Sequence, residues 1–228
     1  LQDALAQSVN TAAVRLYLDI GRAKVVNAAR RLGIQSDLAD NASLALGTSE
    51  VTPLELATAY VPFSNGGIGV TPYLIRRVRT PDGKVLFEHR PEPAERVAQP
   101  KHIAAMNAML NATMLHGTGK LAQVPGHQVG GKTGTSQDFR DAWFTGFSAH
   151  VTAVVWVGND TARQMQRVVG GGLPAKIWRA IMIAAHAGRR PKPLPGLVLL
   201  DRSAELKTAG ARLENLPPQR RQSPTPAR

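Results

Sequence analysis

The sequence predicts an α+β fold in which helices pack against an antiparallel sheet. Two observations carry this. Three strand-like segments, Gln128 to Thr135, Ala142 to Ser148 and Val151 to Gly158, follow one another too closely for the helical crossovers that a parallel sheet needs. Helical patterns dominate the residues before them, and one more helix follows. With 228 residues and 43% apolar content, the chain has material for one domain with a real core.

The elements can be justified in order. Residues 1–32 read as helical pieces interrupted near Ser8-Val9-Asn10. Val14, Leu16, Leu18 and Ile20 lead to Gly21, and a second stretch from Ala23 to Leu32 ends at Gly33. Thr52-Pro53-Leu54-Glu55 is a strong helix start, because Thr52 can cap, Pro53 suits the first turn and Glu55 can complete a capping box. That helix should run to about Ser64 and stop at Asn65-Gly66-Gly67. Thr71 to Arg79 and Lys84 to His89 flank Pro81-Asp82-Gly83, which predicts a hairpin. A proline-rich connector, Pro91 to Pro100, precedes a helix from Lys101 to Leu115. Its Ile103, Met106, Met109, Leu110 and Met114 recur at helical spacing and read as core. A last helix is expected from Pro174 to about His186, with Ile177, Trp178, Ile181 and Ala185 facing inward. Trp143 and Trp156 are expected in the sheet core. The folded part should comprise residues 1–188, and residues 189–228 a basic, proline-rich, flexible tail.

Composition narrows the function classes. The chain has no cysteine, which excludes disulfides, thiolate metal sites and a cysteine nucleophile. No apolar run approaches the roughly 18 residues that cross a bilayer. The start, Leu1-Gln2-Asp3, shows no secretory signal, so any export signal or membrane anchor is expected upstream. The formal charge is +12. Half of this excess lies from Arg189 onward, where nine basic residues face three acidic ones. Such a tail is either a solvated run or an attraction to an anionic surface. His102, His116, His127 and His150 lack metal-ligand spacing, and no cofactor is expected.

The stretch with chemistry in it is Gly130-Gly131-Lys132-Thr133-Gly134-Thr135-Ser136. Gly126 through Thr133 fits the phosphate-loop pattern in form. Such a loop must follow a buried strand and open a long helix. Here Pro125-Gly126 precedes it and a strand pattern, Trp143 to Phe147, follows, so nucleotide binding is not expected. Read instead as an edge strand, the segment puts Thr133 and Thr135 on one face. Gly134 would let a ligand backbone lie close. The free edge could pair with an extended peptide, with Lys132 supplying positive charge.

The longer text around Lys132-Thr133-Gly134 resembles the class A penicillin-binding proteins, the bifunctional peptidoglycan synthases. Gly131 to Phe144 carries the resemblance, as do Ala45 to Ala57 and His116 to Gly119. K-T-G is one of that family's three motifs, and Ser8-Val9-Asn10 has the S-x-N form of another. The resemblance runs from about Leu1 to Gly196. It implies a transpeptidase of the penicillin-binding and β-lactamase-like fold, here as the C-terminal part of the domain. The S-x-x-K nucleophile is absent, since no serine of the chain has a lysine three residues on. Nothing resembles a glycosyltransferase domain.

The resemblance assigns roles residue by residue. Ser8 would join a proton relay with Lys132, and Asn10 would bond the substrate amide. Lys132 would attract the substrate carboxylate and polarise Ser8. The Thr133 and Thr135 hydroxyls would bind that carboxylate, and the Thr135 N–H would form half of an oxyanion hole. Taken without the family, Ser8 could simply cap the next helix. Asp138, Arg140 and Asp141 are expected to hold the following loop. The implied substrates are peptidoglycan stem peptides, with β-lactams as mimics, at the outer face of a bacterial inner membrane and with no nucleic acid partner. Three alternatives stay open: a class A β-lactamase-like hydrolase, a monofunctional penicillin-binding protein, and a non-catalytic module binding acidic envelope polymers through the tail.

Overall fold

The structure, a computed structural model, describes residues 1–91 and 93–198. It is an α+β arrangement in three layers. The sheet has three antiparallel strands, β3 (Gly130–Thr135), β4 (Asp141–Phe147) and β5 (Thr152–Gly158), in the order β3-β4-β5. A separate hairpin pairs β1 (Arg77–Arg79) with β2 (Val85–Glu88). The helices are α1 (Gln2–Ala6), α2 (Asn10–Ile20), α3 (Arg22–Leu32), α4 (Pro53–Asn65), α5 (Pro100–Leu115) and α6 (Leu173–Ala185).

Local chemistry explains most boundaries. Gly21 and Gly33 follow α2 and α3, and Gly33 takes the left-handed conformation there. Thr52 caps α4 by accepting from the Glu55 N–H, while the Glu55 carboxylate accepts from the Thr52 N–H, the full reciprocal box. Glu55 also accepts from the Gln35 and Ser36 N–H groups and the Ser36 hydroxyl, tying α4 to the chain after α3. These bonds, led by the Thr52 N–H, hold its carboxyl well below the usual range. The hairpin turn forms at Pro81-Asp82-Gly83 as expected. Its strands are shorter than the expected 71–79 and 84–89, because residues 72–75 run outside the strand ladder with Leu74 fully exposed, although the Arg76 carbonyl still accepts from the His89 N–H.

The sheet is sandwiched. On one face Phe144 packs on Trp178 of α6, joined by Val129, Val155, Ala175 and Met182. On the other, Phe147 meets Tyr60 and Phe63 of α4 and Leu110 of α5. The β4–β5 turn is locked by Ser148. Its Oγ accepts from the His150 and Val151 N–H groups, so its own proton goes to His186 Nε2 at 2.8 Å, leaving His186 Nδ1–H for the Met182 carbonyl.

Three expectations change. The inward stripe of α6 is Pro174, Ala175, Trp178 and Met182, while Ile177 and Ile181 stand 38% and 47% exposed. One position along a helix is a rotation of about 100°, enough to move a side chain off the stripe. Trp143 and Trp156 are not core. They lie tilted against each other, with ring centroids 6.2 Å apart, on a half-open surface, because α4 meets the sheet at its Phe147 end.

The third concerns the expected tail. Its first part, residues 189–198, packs on the domain. Leu194 is fully buried, its N–H donates to Gln128 Oε1 at 2.9 Å, and Asn107 Nδ2 donates to the Pro195 carbonyl at 2.9 Å. Leu194 sits with Leu110 and Phe147, so the apolar residues past the helix complete the α5 side of the core. Residues 199–228, the rest of the expected tail, lie outside the described residues. Leu194→Ala should cost about 2–5 kcal/mol, the usual range for emptying a buried leucine site. Denaturant unfolding measures this, and an unchanged midpoint would contradict the packing role.

Candidate active site

The site is assembled from three pieces of chain. The first is the joint between α1 and α2. Ser8 sits there at φ 57°, a left-handed conformation that a serine adopts at some cost. The cap of α2 is Val9, with no side-chain cap bond, so Ser8 is not serving as a helix cap. Its Oγ instead accepts from Lys132 Nζ at 2.8 Å, across 124 residues of chain. The joint is held by the end of α5. The Thr118 N–H donates to the Ala6 carbonyl at 3.0 Å, and Gln7 Nε2 donates to the His116 carbonyl. Any side chain at Gly117 would collide with Ala6 and the Thr113 backbone, so only glycine permits this approach.

The second piece is β3. It is a strand that runs through a short turn into β4 instead of opening a long helix, which is not the geometry of a phosphate loop. Lys132 projects on the α4–α5 side of the sheet, together with Gly130, which faces Phe147 and Leu110. Thr133 and Thr135 share the opposite face, as alternation requires. Among the described residues β3 is an edge strand. Which backbone groups it leaves free follows from the register. The Ser136 N–H donates to the Asp141 carbonyl at 2.9 Å, so even-numbered residues of this strand point their amides at β4. Thr133 and Thr135 therefore turn their N–H and C=O groups outward, to the free edge. Lys132 Nζ agrees with this, since it donates to the Thr133 carbonyl at 3.0 Å.

The third piece is the turn after β3. Ser136 Oγ donates to Asp141 Oδ2 at 3.0 Å and accepts from the Asp141 N–H. Trp156 Nε1 donates to Asp141 Oδ1 at 3.0 Å, pinning that carboxylate from β5. Asp141 thus holds the loop by hydrogen bonds, while Asp138 and Arg140 form a loose, exposed pair at 3.9 Å. Asp138 and Phe139 both have positive φ, so this tight turn is strained.

Lys132 is half-buried, and none of the ion pairs among the described residues includes it. Burial lowers its pKa from the ordinary 10.5. An ammonium partly screened from water beside two neutral oxygens can act as a counter-charge for an anion. Asn10 opens α2, exposed, with no side-chain bond among the described residues. Gly134 faces Trp143, whose Cβ would lie 3.3 Å from an added side chain.

Two contributors were given no site role by the sequence reading. Thr118 places its Oγ1 2.8 Å from Thr133 Oγ1. The triple glycine Gly170-Gly171-Gly172 lies over the threonine face of β3, and the Gly170 N–H donates to Thr135 Oγ1 at 3.0 Å. Three successive glycines before Leu173-Pro174 were the available signal.

Residues 1–183 match the family model of the penicillin binding protein transpeptidase domain. The chain belongs to that family. It is 41% identical over 179 residues to penicillin-binding protein 1A of Aquifex aeolicus, covering 78% of this chain and 24% of that protein. The chain thus spans about a quarter of the length of that relative. Among solved structures, it resembles penicillin-binding protein 1A from Haemophilus influenzae with TM-score 0.78 and 28% identity, over 87% of this chain and 35% of that one. It also resembles PonA1 from Mycobacterium tuberculosis in complex with penicillin V, with TM-score 0.78 and 25% identity, over 88% and 60%.

The site makes a prediction about stability. A lysine whose folded pKa is depressed binds fewer protons than the unfolded chain at high pH. Its charged form therefore weakens the fold below the folded pKa, and the loss is recovered as pH rises toward 10.5. Lys132→Met should accordingly melt at or above the wild-type temperature at neutral pH. A clear drop in the melting temperature would show that Lys132 holds the fold together.

Proposed function

We propose that this chain supplies the relay and carboxylate-binding half of a serine-type D-Ala-D-Ala transpeptidase that cross-links peptidoglycan. The observation that carries the reading is the Lys132–Ser8 bond beside the free edge of β3. The nucleophile is an S-x-x-K serine outside these 228 residues. The parent protein works in the cell envelope, on the outer face of the inner membrane. Among the described residues no helix is long and apolar enough to cross a membrane.

The chemistry follows from what the groups can do. A stem peptide lies along β3, pairing with the outward groups of Thr133 and Thr135. Its terminal carboxylate meets the Lys132 charge and the Thr135 hydroxyl. The serine oxygen attacks the penultimate D-Ala carbonyl, and the Thr135 N–H stabilises the resulting oxyanion. Collapse breaks the amide bond, and the departing D-Ala amine takes the proton relayed by Ser8. Asn10 bonds the substrate amide. The amine of a second stem peptide then attacks the ester, restores the serine and leaves a cross-link. A β-lactam enters the first step and stays as the ester. No metal or organic cofactor is required.

In the parent protein, Ser8→Ala and Lys132→Ala should each slow acylation by a fluorescent penicillin by on the order of 10²–10⁴, the scale of a positioned proton-transfer or oxyanion group. Because they share one relay, the double variant should lose far less than the product of the two. Second-order labelling rates check this. Multiplicative losses would rule out a shared relay, and near-wild-type labelling by Lys132→Ala would remove the K-T-G assignment altogether.

A further inference from the structure

The triple-glycine loop has a job that the K-T-G, S-x-N and S-x-x-K motifs do not describe. We propose that Gly170 is a positioning residue, whose N–H fixes the Thr135 hydroxyl so that its proton is delivered to the substrate carboxylate. This rests on the carboxylate-binding reading of Thr135 given above.

The geometry supports the direction of that proton. A threonine oxygen has one proton and two lone pairs. The Gly170 N–H, 3.0 Å away, can only donate, so it occupies a lone pair of Thr135 Oγ1. The hydroxyl proton must then point elsewhere. Thr135 is exposed and donates to no other group among the described residues, so the proton is left for a ligand. Accepting one hydrogen bond also makes the hydroxyl a better donor of the next.

The loop is built to hold this donor still. The Gly170 carbonyl accepts from the Ala175 N–H in the first turn of α6, and the Gly172 N–H donates back to the Val169 carbonyl. α6 is anchored in turn by Trp178, fully buried against Phe144. A side chain at Gly170 would collide with the Gly134 and Trp143 carbonyls and lie 2.9 Å from the Gly134 nitrogen. One at Gly171 would lie 2.6 Å from the Thr118 carbonyl. Glycine is thus needed here for close approach, and that approach brings a backbone donor to the one hydroxyl of β3 that is open to solvent. Gly170 itself is buried, so water does not compete for its N–H.

The test compares acylation of the full-length parent by benzylpenicillin and by its methyl ester, which lacks the carboxylate. Wild type should prefer the acid. Thr135→Val should cut the acid-to-ester ratio about 10-fold or more, the scale of a lost bond to a charged group. Gly170→Ala should cut it in the same direction, and should cut it no further in the Thr135→Val background. A purely structural role would lower both rates and leave the ratio alone, so an unchanged ratio in Gly170→Ala overturns the proposal. Equal acid and ester rates in wild type would instead overturn the carboxylate reading itself. Should Gly170→Ala fail to fold, amide exchange decides. The Gly170 N–H should be protected in wild type and in Thr135→Ser, and should exchange faster in Thr135→Val. Exchange indifferent to all three side chains also overturns the proposal.

Discussion

The site hangs on one contact, the bond from the Lys132 ammonium to the Ser8 hydroxyl. Neither partner could be placed by its own segment. Ser8 occupies a left-handed joint between two helices, and the joint persists because Ala6 and Gln7 are bonded to the end of α5. Lys132 is held by a strand registered against β4 along its whole length. The ammonium is partly stripped of water and has no carboxylate neighbour among the described residues, which lowers its affinity for the proton. An ammonium in that setting can take its counter-charge from a ligand.

The edge position of β3 gives this charge a direction. Only an outer strand can offer its N–H and C=O groups to an extended peptide, and the register decides which residues do so. Thr133 and Thr135 face out, Lys132 and Gly134 face in, and the lysine side chain returns around the edge to the Thr133 carbonyl. Asp141 fixes the end of the strand by binding Ser136 on its own loop and Trp156 on β5. One face of the edge is thus governed by α1 and α5, the other by the glycine loop before α6.

Legibility in the sequence followed the range of the interaction concerned. The α4 cap was readable because its partners lie three residues apart. The three sheet strands were readable because alternation and short connections are local. On α6 Trp178 was read correctly, but Ile177 and Ile181 fall one position off the buried stripe, because which apolar residues face inward depends on where the sheet lies. Trp143 and Trp156 were misplaced for the same reason: their strands are central or adjacent to the centre, but the helix layer covers only the Phe147 end. Leu194 fell inside the expected tail that begins at Arg189, because nothing near it in the chain reveals the gap beside Leu110 and Phe147 that it fills.

The sequence by itself determined the family resemblance, the α+β class, the choice of Ser8, Lys132, Thr133 and Thr135 as candidate site residues, and the rejection of a phosphate loop. These rest on residue type, order and short-range periodicity, which the chain carries explicitly. The tertiary structure decided that Ser8 bonds Lys132 rather than capping α2, that Thr135 turns its N–H to the open edge, and that Thr118 and Gly170 reach the threonine hydroxyls. Those are contacts across 15 to 124 residues. They depend on which layers close over which face of the sheet, and packing of the whole core sets that.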